Sequence, residues 1–557
     1  MESKLSPFQR FWLLLKPDRK EIRNVYVYAV FLGLVNLSLP IGIQAIINII
    51  QGGQISTSWI VLVAFVMAGV ALSGVLQIYQ LKITENLQQK IFTRAAFEFT
   101  YRIPKIKLEA LYKQYAPELM NRFFDVVSIQ KGLSKILIDF STASIQAVFG
   151  LFLLSLYHPF FIIFSLILIL LVYAIFKLTS KKGLYTSLQE SKSKYSLVHW
   201  LQELARTSVS FKLAGHTELP MQKTNEETNK YLKYRESHFR VLLTQYSLMV
   251  VFKVIVAAGL LIVGSVLVMD QKMNIGQFVA AEIIILLVMG AVEKLILSLE
   301  NIYDVLTSLE KVGQVTDLPL ERNSGMDITR EKIEKGLKVE FCDVTFSYPE
   351  QKNSILRDIN FTIEPNERIN IMSSIDSGKS TLLYLMASLY KVKTGTILFN
   401  EIPLGNLNPH HLRSIIGDCL MDELLFEGTI MENITMGRKN ATFDNVQWAV
   451  ENLGLKDFIK TLPKGYDTYI YPQGKLLTKV IVDKLILARS IADKPKLLLF
   501  KDAFISFGSD EKLRIIDFLT HPSNNWTMVV STKDKTIMDK MDRTIHIENG
   551  LINNLKN

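Results

Sequence analysis

The stretch INIMSSIDSGKSTLLYLM, from Ile369 to Met386, holds the residues best suited to chemistry. Gly378, Lys379, Ser380 and Thr381 stand in register with a GxxxxGK[ST] phosphate-binding loop. In such a loop backbone N–H groups cradle phosphates, the lysine reaches them and the hydroxyl meets magnesium. The first position of the pattern, normally glycine, is Ser373, and Asp376 and Ser377 lie inside the loop. A carboxylate there faces the charge that the loop exists to hold. FTIEPNERINIM before the loop reads as strand and KSTLLYLMASLY after it as helix. Strand, loop and helix are the context such a loop needs, so chance is a poor explanation of the match.

These residues sit in the second half of a 557-residue chain that is 49% hydrophobic and only 21% charged, with a net charge of +10. That balance points to a membrane protein of more than one domain. Two cysteines, Cys342 and Cys419, provide no disulfide framework. A bilayer core needs about 20 mostly apolar residues per helix. Six stretches qualify, starting near Val25, Trp59, Phe140, Phe160, Val254 and Ile275, with His158-Pro159 breaking the third from the fourth. The connections on one side (QGGQISTS, the His158-Pro159 turn and DQKMN) contain one basic residue, Lys272, whereas KPDRKEIR and KLTSKKG lie on the other. The positive-inside rule therefore places both termini in the cytoplasm, as expected for a bacterial inner or plasma membrane protein. It also accounts for the basic balance without nucleic acid.

LQQKIFTRAAFEFTYRI and HWLQELARTSVSFKLAG, in the long connections of the basic side, are amphipathic and free of internal proline. They predict membrane helices that run on past the bilayer and turn back. Lys253 is expected to snorkel to the inner surface. Glu282, about two turns into the sixth span, is a candidate cavity residue, because carboxylates inside membranes are rare and often functional. The predicted organisation is an amphipathic segment at 1–24, a six-helix all-α transmembrane domain at 25–315, a linker at 316–335 and an α/β nucleotide-binding domain at 336–557.

Further motifs sharpen this reading. GTIMENI, LPKGYDT and LARSIADKPKLLLF occur in that order after the loop, and FSYPE before it. With the six spans, they resemble the half-transporters of the ABC exporter family over essentially the whole chain. The resemblance implies a P-loop NTPase-like cassette with a role at each aligned position. Tyr348 takes the place of the aromatic that stacks on adenine, and Lys379 and Ser380 those of the phosphate and magnesium contacts. Ser373 and Asp376 replace two loop glycines. The two acids ending the Walker B strand correspond to Lys501 and Asp502. Met421 replaces the Q-loop glutamine, Gly508 the D-loop aspartate and Lys533 the switch histidine. The signature LSGGQ reads Leu477, Thr478, Lys479, Val480, Ile481.

Phosphoryl transfer depends on positioning, magnesium and charge stabilisation. An ammonium at the metal position opposes the cation. The resemblance implies dimerisation, each nucleotide lying between one chain's Walker motifs and the other's signature. Because both halves are altered here, no partner can complete either composite site. The sequence thus predicts a dimeric exporter-type membrane protein, homodimeric or paired with another half-transporter, without ordinary ATP hydrolysis. It requires no cofactor, leaves ATP binding weak at most, and puts magnesium in doubt. The alternatives are a degenerate subunit beside an active partner, or a non-transporting scaffold or regulatory subunit. The transported substrate is not readable. Lys501 is further expected to approach Asp376, a charge pair standing in for cation and phosphate.

The topology is directly checkable. In intact cells, a thiol reagent that cannot cross membranes should leave native Cys342 and Cys419 unlabelled. Cysteines introduced at Ser56 and Gln271 should label, and the opposite pattern would invert the orientation.

Overall fold

The computed structural model describes residues 5–51, 57–112, 114–328, 330–373, 378–420 and 424–553. The chain divides into two compact units, one of Met1–Pro104 and Gln114–Leu318, the other of Lys105–Lys113 and Pro319–Asn557.

The first unit is helical. Among the described residues six segments are long and apolar enough to cross a membrane. The helices Thr57–Arg102, Pro159–Arg206, Leu219–Met269 and Ile275–Thr316 contain 46, 48, 51 and 42 residues. At 1.5 Å per residue they are roughly 60–75 Å long, well beyond the ~45 Å of a bilayer with its headgroups. The expected extensions past the membrane are therefore present. His158 caps the fourth span by accepting the Phe160 N–H (3.2 Å), with Pro159 in the first helical position. The first span departs from the single helix expected: it is divided at Leu37 into Arg19–Asn36 and Ser38–Gln51. Pro40 explains the division, since its ring clashes with the carbonyl four residues earlier, that of Asn36.

Where the helices outrun the apolar stretch, polar side chains join them. Gln245 donates to Thr179 Oγ1 (2.8 Å) and to the Tyr303 hydroxyl (2.9 Å). Ser187 pairs with Thr307 (2.8 Å), and Thr186 with His238 (2.9 Å). All seven residues are buried, so each bond satisfies groups that would be costly to bury alone. Lys253 forms an ion pair with Glu293 (2.7 Å) on the next helix. Helix pairing, rather than snorkelling alone, thus accounts for this lysine.

The N-terminal segment is more than a surface strip. Pro7–Leu15 is a helix begun by a Ser6–Gln9 capping box. Trp12 and Phe8 are exposed, but Arg10 turns inward and is only 8% exposed. Its guanidinium donates to both carboxylate oxygens of Asp317 (2.7 and 2.5 Å) and lies 3.4 Å from Glu310. Gly313 makes room for it, since an added Cβ would stand 2.3 Å from the guanidinium carbon. Asp18–Arg94 (2.8 Å) and Glu21–Lys90 (2.5 Å) add two more ties.

The second unit contains β1 (Val339–Phe346), β2 (Leu356–Ile363), β3 (Arg368–Ser373), β4 (Thr394–Phe399), β5 (Ile402–Pro403), β6 (Ile416–Cys419), β7 (Gly428–Thr429), β8 (Tyr469–Ile470), β9 (Leu497–Lys501), β10 (Thr527–Ser531), β11 (Arg543–Glu548) and β12 (Leu551–Asn553). Its main sheet has the order β12-β11-β3-β10-β9-β6, with an antiparallel sheet β2-β1-β4-β5 and the small pair β7-β8. In the main sheet β6, β9, β10, β3 and β11 run parallel to one another, and β12 is antiparallel to β11 at the edge. Leu497 and Leu499 enter one apolar core, Leu498 and Phe500 another. Burial on both faces is why this strand reads as an unbroken apolar run.

The Arg10 anchor generates a prediction. Arg10→Met and Gly313→Ala should each lower the thermal unfolding temperature of the full-length protein by several degrees, because either change removes a charge-assisted bidentate contact. Unchanged unfolding in both variants would show that the N-terminal helix is not held this way.

Candidate functional site

Parallel strands place their carboxyl ends on one edge, which is where open α/β sheets bind ligands. Asn370 of β3 is level with Val530 of β10, and Ser531 of β10 is level with Lys501 of β9. That register brings Ser373, Ser531 and Lys501 to the same edge as strand-terminal residues. The Thr532 N–H donates to Asn370 Oδ1 (3.1 Å), tying the chain after β10 to β3.

From β3 the chain reaches the helix Lys379–Met386 through the loop, of which Asp376 and Ser377 lie outside the described residues. Gly378 caps that helix with φ 95°, a left-handed conformation that favours glycine. Lys379 and Ser380 open the helix half-buried, and Ser373 closes β3 buried. Thr381 is buried, with Oγ1 3.0 Å from the Tyr348 hydroxyl. The strand–loop–helix expectation therefore holds for the described residues on either side of the loop.

Lys501 is half-buried at the end of β9, with no hydrogen-bond or ion-pair partner among the described residues. Asp502 follows at φ 51° and donates its N–H to the Ser531 carbonyl (3.1 Å). The expected Lys501–Asp376 pairing involves a residue outside those described. In the sheet β10 lies between β9 and β3. Met421 also lies outside the described residues.

Lys533 is exposed. The next residue, Asp534, accepts the Thr536 N–H (3.0 Å) and pairs with Lys512 (2.5 Å). Hydrogen bonding by the Lys512 ammonium holds the Asp534 carboxyl below the usual carboxylate range. Gly508 begins the helix Ser509–Leu519 with φ −65°, and an added Cβ would meet nothing within 4 Å. Neither backbone nor space requires glycine there.

The signature positions begin another helix, Lys479–Ile491. Leu477 packs against the core, and Thr478 caps the helix by accepting the Ile481 N–H (3.4 Å). Lys479 is exposed and paired with Asp483 (2.8 Å), while Val480 and Ile481 pack inward. Among the described residues these five share no hydrogen bond or ion pair with the sheet-edge group. In the first unit, Glu282 is half-buried with no hydrogen-bond or ion-pair partner among the described residues.

One contact has no signal in the sequence. Tyr112, in the segment Lys105–Lys113 that folds with the cassette, lies parallel to Tyr348, with ring centroids 5.4 Å apart and planes at 15°. Its hydroxyl accepts from Gln351 Nε2 (3.2 Å). Phe346 and Tyr390 meet Tyr348 edge-on at 5.0 and 5.2 Å. Burial pushes the Tyr348 phenol up, opposed by the Thr381 hydrogen bond. Nothing in the pattern of that connection distinguishes Tyr112 from Tyr101 or Tyr115, and only the fold brings it to Tyr348.

Two family models match, the ABC transporter transmembrane region over residues 23–292 and the ABC transporter over residues 356–504. The chain is 29% identical over 323 residues to the alpha-hemolysin translocation ATP-binding protein HlyB of Escherichia coli O157:H7, covering 57% of this chain and 45% of that one. It is 32% identical over 213 residues to the uncharacterized ABC transporter ATP-binding protein YfiB of Bacillus subtilis strain 168, covering 38% and 37%. The match thus spans less than half the length of these relatives. The structure of a bacterial Atm1-family ABC exporter with ATP bound superimposes with a TM-score of 0.81 at 17% identity, covering 96% of this chain and 94% of that one. With its membrane helices and its cassette both accounted for, the chain belongs to the ABC exporter family and has the architecture of a half-transporter.

Proposed function

We propose that the chain is one half of a dimeric exporter-type membrane protein whose cassette does not turn over ATP. The observation that carries this reading is Lys501, half-buried at the ligand edge of the sheet and without an acidic partner among the described residues. Strand β9 is positioned to deliver a magnesium ligand and delivers an ammonium. Magnesium takes oxygen ligands, and an ammonium at this strand end opposes the ion instead of coordinating it. Lys501 does not fit the ion, even though the Ser380 hydroxyl remains at the start of its helix. Losing one electrostatic stabiliser commonly lowers a rate by about 10²–10³. Here Lys501, Lys533, Gly508 and the Leu477–Ile481 turn all depart from the family pattern together.

Nucleotide binding is weak at most in this reading. Tyr348, Lys379 and Ser380 remain suitable, but one face of Tyr348 is taken by Tyr112. The dimer partner is a second copy or another half-transporter, and with alterations in both the loop and the signature neither composite site is complete. Both termini are cytoplasmic, and the passenger is unassigned.

Two measurements test the proposal. Purified full-length protein should hydrolyse ATP with magnesium at background rate, and Lys379→Ala should not change it. A magnesium-dependent rate abolished by Lys379→Ala would refute the proposal. Photolabelling by 8-azido-ATP should be faint in the wild type and rise about 2–10-fold in Tyr112→Ala, since an aromatic stack contributes about 0.5–1.5 kcal/mol. Equal labelling would mean that Tyr112 does not compete for the platform.

A further inference from the structure

The first unit contains a polar cavity of about 710 Å³ that the cassette reading does not use. It lies between the ends of the helices Pro159–Arg206, Leu219–Met269 and Ile275–Thr316, and its lining includes Arg122, Tyr195, Trp200 and Lys311. Tyr195 and Lys311 each stand 36 residues from the first residue of their helix, Pro159 and Ile275. That is about 54 Å of rise, so the cavity falls roughly 10 Å past the headgroups on the side opposite the Asp270–Asn274 turn.

Its inner wall has unused cationic donors. Arg122 is 7% and Lys311 5% exposed. Arg122 gives Nε to Gln314 Oε1 (3.2 Å) and Nη2 to Glu118 Oε1 (3.0 Å), but Nη1 is buried without a partner. Lys311 has no hydrogen-bond acceptor or ion-pair partner among the described residues. Both cations pack on the Tyr195 ring, at 3.7 and 5.2 Å from its centroid. Of the neighbouring carboxylates, Glu226 has no hydrogen-bond or ion-pair partner among the described residues, and the others are already engaged. Asp125 accepts the Tyr195 hydroxyl, Glu118 holds Arg122, Glu203 pairs with Arg206 (2.6 Å) and Glu227 with Lys230 (2.6 Å). Lys194 adds a further cation 5.3 Å from the same ring, while Lys192, Lys223, His199 and Glu226 line the outer part. A buried guanidinium nitrogen with no acceptor, beside a lysine that is itself only 5% exposed, is costly unless an anion completes the pair.

We infer that this cavity binds a phosphate-bearing anion, with Arg122 Nη1 and Lys311 Nζ as its donors. Two sources share that chemistry: a soluble phosphate compound and the headgroup of an acidic phospholipid. The depth of the cavity beyond the bilayer favours the soluble one. The site is separate from the cassette and does not depend on whether ATP is hydrolysed.

The test uses the full-length protein in nanodiscs and follows thermal unfolding by tryptophan fluorescence. In zwitterionic lipid, inorganic phosphate or pyrophosphate should raise the unfolding temperature saturably, where sodium chloride of equal ionic strength does not. Lys311→Met and Arg122→Gln should each raise the half-saturating concentration at least tenfold. Lys379→Ala should retain the shift, which separates this site from the cassette loop. If phosphatidylglycerol nanodiscs alone give the stabilisation, and Lys311→Met removes it, the anion is a lipid headgroup. Absence of anion-specific stabilisation in both lipids would overturn the inference. So would an equal response in the wild type and in Lys311→Met, a variant in which a methionine replaces the buried ammonium with little change of volume.

Discussion

A strand buried on both faces can present chemistry only where it ends. In β9 the residues Leu497 to Phe500 are fully buried, alternating between two cores, and the first side chain free to act is Lys501. Its register with Ser531, and that of β10 with β3, is set by backbone hydrogen bonds that are indifferent to side-chain chemistry. The sheet therefore carries an ammonium to the edge as faithfully as it would carry a carboxylate. This separation lets the sheet keep its fold whatever residue ends the strand, because stability comes from the apolar alternation and the terminal side chain takes no part in it.

The membrane unit follows a similar rule. Its helices are longer than a bilayer is thick, so beyond the apolar stretch they must be joined by something other than apolar packing in lipid. The Gln245–Thr179–Tyr303 cluster and the Ser187–Thr307 and Thr186–His238 pairs do this with satisfied hydrogen bonds. The cavity around Arg122 and Lys311 lies further along the same helices and differs in one respect, because its cationic donors are not all satisfied. A fully paired seam reads as structure, and an incompletely paired one as a place for a ligand.

Much of this was legible in the sequence because it depended on local pattern. Apolar runs marked the spans, the His158-Pro159 step marked a helix start, and the GK[ST] residues marked the junction of β3 with a helix. What was not legible depended on tertiary proximity. Tyr112 stacks on Tyr348 across more than two hundred residues of chain, and Glu293 pairs with Lys253 from a neighbouring helix. Arg10 belongs to the amphipathic segment at 1–24, yet Gly313 leaves a gap that admits its guanidinium to Asp317. The division of the first span at Leu37 could have been anticipated from Pro40, whose effect falls four residues upstream.

The central claim is that the residue at the end of β9 excludes magnesium from the cassette. The most direct test is the affinity of a fluorescent ATP analogue for the full-length protein with and without magnesium. The account predicts equal affinities, and a gain from magnesium only after Lys501→Asp. Wild-type binding strengthened tenfold or more by magnesium would contradict it.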